Sequence, residues 1–317
     1  MMSLNEIKKF IEDNDNFAII GHANPDGDCV GSCLGMWYML RKLGKCADVC
    51  INSEDVPHHL KFIWNNSCSA KDGQQFDAYI AIDCAGADRL STKSEEFAAA
   101  ERTACIDHHR TNTGFAKVNA VIPDAAAAGE IIYYLAADII GITPIGEMAD
   151  AIYTAIVSDT GGFKYSSTTA RTMRAGASLL ENGVESALIF KNLFDTYTKK
   201  QIDIVGDITS TLTMHFNGKV AVIYVTDELL ESKNMRFDEV DFITNLPRSI
   251  EGVEVGVFLK KRGDEVKISL RSGESVDVSQ IAASLGGGGH MRAAGITLKC
   301  CLDEAKETIL KEIEKVI

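Results

Sequence analysis

Positive charge is scarce in this sequence. Its 317 residues include 32 Lys and Arg against 45 Asp and Glu, which gives a formal net charge of -13. A protein that covers long DNA or RNA needs many cationic side chains to contact phosphates. The composition therefore excludes broad binding to long duplex nucleic acid. A short nucleotide in a locally basic, metal-loaded cleft stays compatible with it.

Long apolar runs are also missing. No stretch approaches the roughly 20 consecutive apolar residues that cross a bilayer, so we expect no membrane partner. Residues 1–8 read as the start of an amphipathic helix rather than as a charged leader with an apolar stretch behind it. The nine cysteines are an odd number. Without a secretion signal they are expected to be reduced thiols in a cytoplasmic protein.

Two pairs of these cysteines have the same spacing. Cys29 and Cys33 are four residues apart, as are Cys46 and Cys50, and this raises the alternative of a thiolate metal site. Cys29 and Cys33, however, lie in an apolar helical stretch, where cysteine acts as a small hydrophobic residue. We therefore interpret these two as packing residues.

The first half of the chain alternates between two patterns, with no internal repeat or low-complexity tract. Apolar runs at 17–21, 77–82 and 103–106 have the length and composition of buried strands. Strands that alternate with helices predict an α/β fold with a doubly wound, mostly parallel sheet. The segments with a helical pattern are 29–43, 125–140, 145–157 and 169–181.

The pattern changes near residue 200. Residues 185–213 read mostly as one long helix, and the strand-like runs and short helices that follow predict a smaller α+β domain. We therefore expect an α/β domain at 1–190, a helical linker at 191–209 and a second domain at 210–317.

Acidic and histidine residues gather where the predicted elements of the first domain end. The carboxyl ends of parallel strands meet at one edge of a sheet, where ligands bind. Each residue has an ordinary alternative, such as a turn former, a helix cap or a satisfied polar group. Several such segments at one edge favour a shared site. They contain His22, Asp26 and Asp28 in the loop 21–28, then Asp83, then Asp107, His108 and His109, and finally Asp159 before a Gly-rich loop.

This set of side chains predicts divalent metal ions. About five carboxylates gathered without cations repel one another, and Arg110 is the one Lys or Arg among these segments. Carboxylate oxygen and imidazole nitrogen suit Mn²⁺, with Mg²⁺ or Co²⁺ as substitutes, and the lack of thiolate ligands disfavours structural zinc. Two ions about 4 Å apart, joined by one carboxylate, would support displacement at phosphorus.

A glycine run followed by a histidine is the main anomaly of the second half. A flexible linker is the alternative, but the run lies between a predicted helix and a predicted strand of a compact domain. Glycine lets backbone N–H groups approach an anion, and an arginine can grip phosphate through two hydrogen bonds. We therefore predict substrate contacts from Arg271, Ser272, Gly286, Gly287, Gly288, Gly289 and His290.

The ordered segments of the first domain resemble the motifs of the DHH phosphoesterase superfamily, over residues 1 to about 190. The resemblance implies two metal ions bridged by Asp83. It implies that His109 faces the scissile phosphate and that Asp107 orients the histidine pair, so that Asp83, Asp107 and His109 are the catalytic residues. The implied ligands are His22, Asp26 and Asp83 for one ion, and Asp28, Asp83, His108 and Asp159 for the other.

Residues 210–317 resemble the DHH-associated C-terminal domain, through the run 286–290 and the following Ala293, Ala294 and Gly295. The pairing of these two domains implies Mn²⁺-dependent hydrolysis of short oligoribonucleotides, from an end, and of 3′-phosphoadenosine 5′-phosphate (pAp). It disfavours a pyrophosphatase. The alternatives are a phosphodiesterase for cyclic di-AMP or linear pApA and, in another class, a non-catalytic nucleotide sensor. A homodimer is compatible with the sequence.

Overall fold

The computed structural model describes residues 2–71 and 73–317. The chain divides into two compact units, Met1–Thr196 and Tyr197–Ile317. Each unit has its own sheet and its own buried apolar core. In the described part of the chain, every helix is too short or too polar to cross a bilayer.

The first unit is built on five parallel strands. These are β1 (Asn16–Ile20), β2 (Cys46–Val49), β3 (Ala78–Ile82), β4 (Thr103–Asp107) and β5 (Val118–Val121). They lie in the order β2-β1-β3-β4-β5. In β1, Phe17 and Ile19 enter one core while Ala18 and Ile20 enter another, so the sheet is covered on both faces and its strands are continuously apolar. The predicted α/β fold with a doubly wound parallel sheet is confirmed.

Helices of the first unit pack on this sheet and on one another. They are α1 (Met2–Glu12), α2 (Gly27–Lys42), α3 (Ser94–Ala99), α4 (Ala128–Tyr134), α5 (Glu147–Asp159), α6 (Ala170–Glu181) and α7 (Ser186–Phe194). A Cβ on Gly31 would lie 2.4 Å from the Ala151 carbonyl oxygen, and one on Gly27 would lie 2.2 Å from Ser158 Oγ. Helices α2 and α5 therefore pack closely and antiparallel, which brings the carboxylates at the start of α2 and the end of α5 together.

Two helical predictions need correction. The predicted helix 125–140 is divided, because α4 continues as a π-helical segment, Leu135–Ile140, that ends at Gly141 with a φ of 86°. The prediction of one long helix at 185–213 is wrong. Helix α7 ends and a separate helix, α8 (Lys199–Thr209), begins after Thr198, whose Oγ1 accepts a hydrogen bond from the Gln201 N–H at 3.2 Å.

The second unit contains a six-stranded mixed sheet. Its strands are β6 (Thr213–His215), β7 (Val220–Thr226), β8 (Val255–Arg262), β9 (Glu265–Ser272), β10 (Gly288–His290) and β11 (Ala293–Leu298), in the order β10-β11-β9-β8-β7-β6. Only β7 and β8 pair in parallel. The predicted smaller α+β domain is confirmed.

Helices of this unit lie on both faces of the mixed sheet. They are α8, α9 (Asp227–Ser232), α10 (Val278–Ser284) and α11 (Leu302–Glu314). In β7, Val222 packs in the core that contains residues of α10 and α11, whereas Ile223 packs in the core that contains residues of α8 and α9. The alternation of neighbouring side chains between two cores is what a strand buried on both faces requires.

Candidate metal centre and active site

The predicted acidic and histidine residues of the first unit meet at the carboxyl edge of its sheet. His22 follows β1, Asp83 follows β3, and Asp107 ends β4. Strand β3 lies between β1 and β4. From β1 the chain continues to β2 on one side of the sheet, and then to β3, β4 and β5 on the other side, so the strand order reverses between β1 and β3. Such a switch point leaves a crevice outside the strand ends, where ligands bind in open α/β sheets.

Asp83 is the centre of the group. It is 3% exposed, and its φ of 57° is in the left-handed region, which Asp tolerates better than most residues. Its N–H donates to the Ile106 carbonyl at 3.0 Å, so the turn is tied to β4. In the described residues its Oδ1 is buried without a hydrogen-bond partner. Burying a carboxylate oxygen without a partner is energetically costly, and a bound cation would remove this cost.

His108 is turned so that one ring nitrogen faces the carboxylates. Its Nδ1 lies 3.2 Å from the Ala125 carbonyl oxygen, which only accepts, so Nδ1 carries the hydrogen. Its Nε2 lies 3.6 Å from Asp28 Oδ2, 3.5 Å from Asp83 Oδ1 and 3.5 Å from Asp159 Oδ2. The backbone carbonyl thereby sets the tautomer that leaves Nε2 available as a ligand.

His22 repeats this arrangement on the other side of Asp83. Its Nδ1 lies 3.0 Å from the Ala23 carbonyl oxygen, and its Nε2 lies 3.8 Å from Asp26 Oδ1 and 3.7 Å from Asp83 Oδ2. Asp26 also caps α2, since its Oδ1 accepts from the N–H groups of Asp28 and Cys29, each at 3.1 Å. The residue that caps this helix is therefore Asp26 and not Asp28.

Asp28 is held by the start of α4, a contact that the sequence did not reveal. Its Oδ2 accepts from the Ala128 N–H at 2.7 Å, and its Oδ1 accepts from the Gly129 N–H at 3.0 Å and from Ser32 Oγ at 2.8 Å. The unsatisfied N–H groups of a helix start stabilise a carboxylate. These contacts fix the buried Asp28 in one orientation beside His108.

The distances between these atoms fit a bound divalent ion. Two ligand atoms that each lie about 2.1 Å from one ion are roughly 3.0–3.5 Å apart. The separations of 3.5–3.6 Å around His108 Nε2 are close to this spacing and are too long for good hydrogen bonds. Asp83 is shared by three groups of metal-ligating atoms, with Asp28 and His108, with His22 and Cys29, and with Asp107 and His109.

The negative charge of the carboxylates also raises the pKa values of groups in the site, which indicates that positive charge would be stabilised there. Burial and repulsion from Asp83 raise the pKa of Asp28 well above its ordinary range. Burial raises the pKa of Asp159 from its ordinary 3.8 to about 6. Burial alone would lower the pKa of His108, but the carboxylates of Asp83, Asp159 and Asp28 outweigh this and raise it. A divalent cation would replace the protons that these groups otherwise hold.

We predict that metal affinity weakens in acid, because the Asp159 carboxyl holds a proton below about pH 6. For each proton that the metal must displace, the affinity for the metal falls about tenfold for each unit by which the pH decreases in that range. In the metal-free protein, the pKa of the Asp159 carboxyl is higher in the folded than in the unfolded state. The carboxyl therefore contributes to the free energy of unfolding at low pH, and this contribution is lost as the pH rises through about 6. The increase in Tm caused by Mn²⁺ should therefore be larger at pH 7.5 than at pH 5.5 in differential scanning calorimetry. An equal increase at both values would contradict this assignment.

His109 is held differently from His108. Its Nδ1 donates to Asp107 Oδ1 at 2.7 Å and lies 3.7 Å from Asp83 Oδ1. Asp107 is fully buried, and its Oδ2 accepts from Asn112 Nδ2 at 2.7 Å. Asn112 Nδ2 also donates to the Cys84 carbonyl at 2.9 Å, so it ties Asp107 to the turn after β3. The sequence gave no signal for Asn112, because its place in the site comes from the fold.

The predicted substrate residues of the second unit differ in their surroundings. Arg271 is in β9, where its Nε donates to Asn245 Oδ1 at 3.2 Å. Ser272 is 6% exposed and its Oγ donates to the Met291 carbonyl at 3.4 Å, so it holds the local backbone together. His290 ends β10, the edge strand of the mixed sheet.

The glycine run serves two purposes. The N–H groups of Gly286 and Gly287 donate to the carbonyls of Ala283 and Ala282, at 3.2 Å and 2.8 Å, and thereby close the end of α10. Gly288 and Gly289 instead belong to β10, and a Cβ on Gly289 would lie 2.5 Å from the Ala293 carbonyl. The first two amides are therefore committed to the helix end, and a phosphate nest formed by all four amides does not match the structure.

Fold and site together define an α/β protein with a divalent-metal centre of the phosphoesterase type. Family profiles match both units: that of the DHH family, N-terminal domain, matches residues 16–156, and that of the DHHA1 domain matches residues 217–317. A relative from Thermus thermophilus, a bifunctional oligoribonuclease and PAP phosphatase NrnA, is 35% identical over 94% of this chain and 89% of its own length. The chain belongs to the DHH phosphoesterase family.

Further relatives agree with this placement. The bifunctional oligoribonuclease and PAP phosphatase NrnA of Bacillus subtilis is 25% identical over 98% of this chain and 97% of its own length. A crystal structure of an exopolyphosphatase-related protein from Bacteroides fragilis matches with a TM-score of 0.87 and 25% identity, covering 99% of this chain and 96% of that one. Each match therefore extends over nearly the whole of this chain and of the relative.

Proposed function

We propose that this chain is a hydrolase of phosphoester bonds that acts on short oligoribonucleotides, from an end, and on pAp. It would use two divalent ions, with Mn²⁺ preferred and Mg²⁺ or Co²⁺ as substitutes. The observation that carries the proposal is the pair of histidine Nε2 atoms on either side of Asp83, each 3.5–3.8 Å from carboxylate oxygens. The names of the relatives from Thermus and Bacillus support the choice of substrates.

The ligands of the two ions would be divided at Asp83. One set is His22, Asp26 and Asp83, and the other is Asp28, Asp83, His108 and Asp159. When bound there, divalent ions would supply positive charge to the phosphate and lower the pKa of a bound water molecule. The donor set of carboxylate oxygens and imidazole nitrogens is the basis for preferring Mn²⁺.

His109 would hold the proton that the leaving oxygen needs. Asp107 accepts the Nδ1 hydrogen of His109, so the second proton of the imidazolium is on Nε2. Burial alone would lower the pKa of His109, but the hydrogen bond to Asp107 and the charge of Asp83 raise it. A protonated histidine can stabilise the phosphate charge or protonate the leaving group.

The second unit would bind the rest of the substrate. Arg271 is the main candidate, since a guanidinium grips phosphate through paired charge-assisted hydrogen bonds. Gly288, Gly289 and His290 belong to β10, an edge strand of the mixed sheet, and would contact the ligand there. Few such contacts, in a chain with a net charge of -13, suit a short nucleotide rather than a long polymer.

We predict that Arg271→Ala raises KM for pAp about tenfold to a hundredfold, because a hydrogen bond to a charged group is worth roughly 1.5–3 kcal/mol. It should leave hydrolysis of bis-p-nitrophenyl phosphate, which lacks a nucleotide to grip, nearly unchanged. Lys267→Ala removes a positive charge from the same strand and is the matched control. Equal losses on both substrates in steady-state kinetics would contradict a role in binding.

One alternative substrate class has some support. The cyclic-di-AMP phosphodiesterase PdeA of Listeria monocytogenes is 25% identical over 97% of this chain, but the match covers 49% of that protein. A phosphodiesterase for cyclic di-AMP or pApA is therefore the second candidate. The non-catalytic nucleotide sensor is the alternative of another class, and a homodimer and a cytoplasmic location stay predictions.

A substrate panel tests the proposal. The Mn²⁺-loaded protein would be incubated with pAp, pApA, cyclic di-AMP, an RNA trimer, an RNA twenty-mer and pyrophosphate, with a chelator as control. We expect pAp and the trimer to be hydrolysed fastest, and all turnover to stop with the chelator. Preference for cyclic di-AMP or pApA would favour the second candidate, and no turnover of any substrate would favour a sensor.

A further inference from the structure

One side chain near His22 is not part of the ligand sets given above. The Sγ of Cys29 forms, with a ring nitrogen of His22 and a carboxylate oxygen of Asp83, a group whose atoms all lie within 4.8 Å of one another. Cys29 is fully buried and is a free thiol. The sequence indicated a packing residue, but the structure places its sulfur among metal-ligating atoms.

The position of this sulfur is fixed by its neighbours. Cys29 is in the first turn of α2, and its N–H donates to Asp26 Oδ1 at 3.1 Å. At the end of β1, a Cβ on Gly21 would lie 2.4 Å from Cys29 Sγ and 3.0 Å from Ile51 Cδ1. The absence of a side chain at Gly21 therefore leaves the space that the sulfur occupies beside the site.

Packing alone does not account for this environment. Asp83 is 3% exposed, and its Oδ2 lies 3.7 Å from His22 Nε2, which is too long for a good hydrogen bond, so a buried carboxylate lies in this group without a strong partner there. Cys33, one turn further along α2, is equally buried. Among the described cysteines, Cys29 is the one that shares a group of ligand atoms with a histidine and a carboxylate.

We propose that Cys29 is an additional, thiolate ligand of the ion held by His22 and Asp83. Thiolate sulfur prefers borderline and soft cations, so this half of the site would bind Zn²⁺, Co²⁺ or Fe²⁺ more tightly than its oxygen and nitrogen ligands alone allow. On binding, the S–H bond breaks, a sulfur–metal bond forms and the proton passes to solvent, with no change of oxidation state. The inference rests on the metal site of the proposed function and is independent of the substrate.

Cobalt spectroscopy tests this inference. Metal-free, reduced protein would be titrated with Co²⁺, and the bound cobalt would be measured by equilibrium dialysis. We expect a thiolate-to-cobalt charge-transfer absorption in the near ultraviolet for the wild type. It should disappear in Cys29→Ser and in Cys29→Ala, and persist in the matched control Cys33→Ala. Absorption from the exposed Cys46 or Cys301 would survive in both Cys29 variants and is thereby recognised.

Affinities give a second readout on the same proteins. Cys29→Ser should weaken Zn²⁺ or Co²⁺ binding by at least about tenfold, as even outer-shell partners of metal ligands do. The affinity for Mn²⁺, which gains little from sulfur, should change less than about threefold. Circular dichroism checks that each variant is folded.

The outcomes separate this inference from the proposed function. Cobalt bound by the wild type without charge-transfer absorption would overturn the thiolate ligand and leave the metal site intact. Absorption of the same intensity in the wild type and in both Cys29 variants would also overturn it. No binding of cobalt or manganese to the wild type would overturn both the inference and the metal-dependent function.

Discussion

Replacing Asp83 by asparagine should lower kcat by at least about a thousandfold and abolish the binding of the two proposed metal ions. The Asp83 carboxylate is shared by the ligand groups on either side, and its Oδ1 is buried without a hydrogen-bond partner among the described residues. Asn is the appropriate replacement, because the φ of 57° at this position is tolerated by Asn and disfavours Ala. The measurements are pAp turnover and Mn²⁺ stoichiometry by isothermal titration calorimetry.

The control for Asp83→Asn is a second aspartate, at the other end of the same strand. Asp77 is exposed just before β3, at the opposite edge of the sheet. Asp77→Asn makes the same chemical change away from the site and should leave turnover and metal binding unaltered. If folded Asp83→Asn, or the harsher Asp83→Ala, kept more than about a hundredth of wild-type turnover, the bridging assignment would be wrong.

Replacing His109 by alanine should lower kcat about a hundredfold to ten-thousandfold while both ions stay bound. His109 donates to Asp107 and is not in the proposed ligand sets, so its loss removes a proton donor rather than a metal ligand. Asp107→Asn should produce the same effect in weaker form, because it removes the charge that holds His109 protonated. Metal stoichiometry and kcat, measured on the same samples, separate this result from that of Asp83→Asn.

The pH dependence sharpens the prediction for His109. A group that must be protonated loses activity as pH rises through its pKa, and the hydrogen bond to Asp107 raises the pKa of His109 above its ordinary 6.5. Wild-type kcat should therefore fall on the alkaline side, and this fall should vanish in His109→Ala. Substrates with p-nitrophenolate as leaving group, which needs no proton, should be affected least. His58→Ala, an exposed histidine of the same unit, is the control. Loss of metal together with activity would contradict the assignment.

Much of the site was accessible from the sequence because its residues follow apolar runs. His22, Asp83 and Asp107 each stand at the end of a predicted strand, and the parallel order of those strands forces them to one edge. The contacts that orient them were not accessible. The start of α4 is distant in the chain from Asp28. Asn112 is close to Asp107 in the sequence, but it stands in a loop and no sequence pattern marks its contact.

The elements that the sequence missed are short or atypical. Strand β10 lies in the glycine run, whose composition is unfavourable for a strand, and it forms because it pairs with β11. The start of α8 after this break is marked by the capping box of Thr198 and Gln201, which lies inside a helical pattern. The sequence around Cys29 is typical of a packing residue. Only the folded structure, in which Gly21 packs against α2, shows that the sulfur lies beside Asp83. In each case tertiary contacts decide what local preference leaves open.

An anomalous-difference map from crystals grown with Mn²⁺, recorded at the manganese edge, tests the shared role of Asp83. We expect two peaks in the first unit, both within coordination distance of Asp83, one beside His22 and one beside His108. A single peak, or peaks that do not share Asp83, would contradict it.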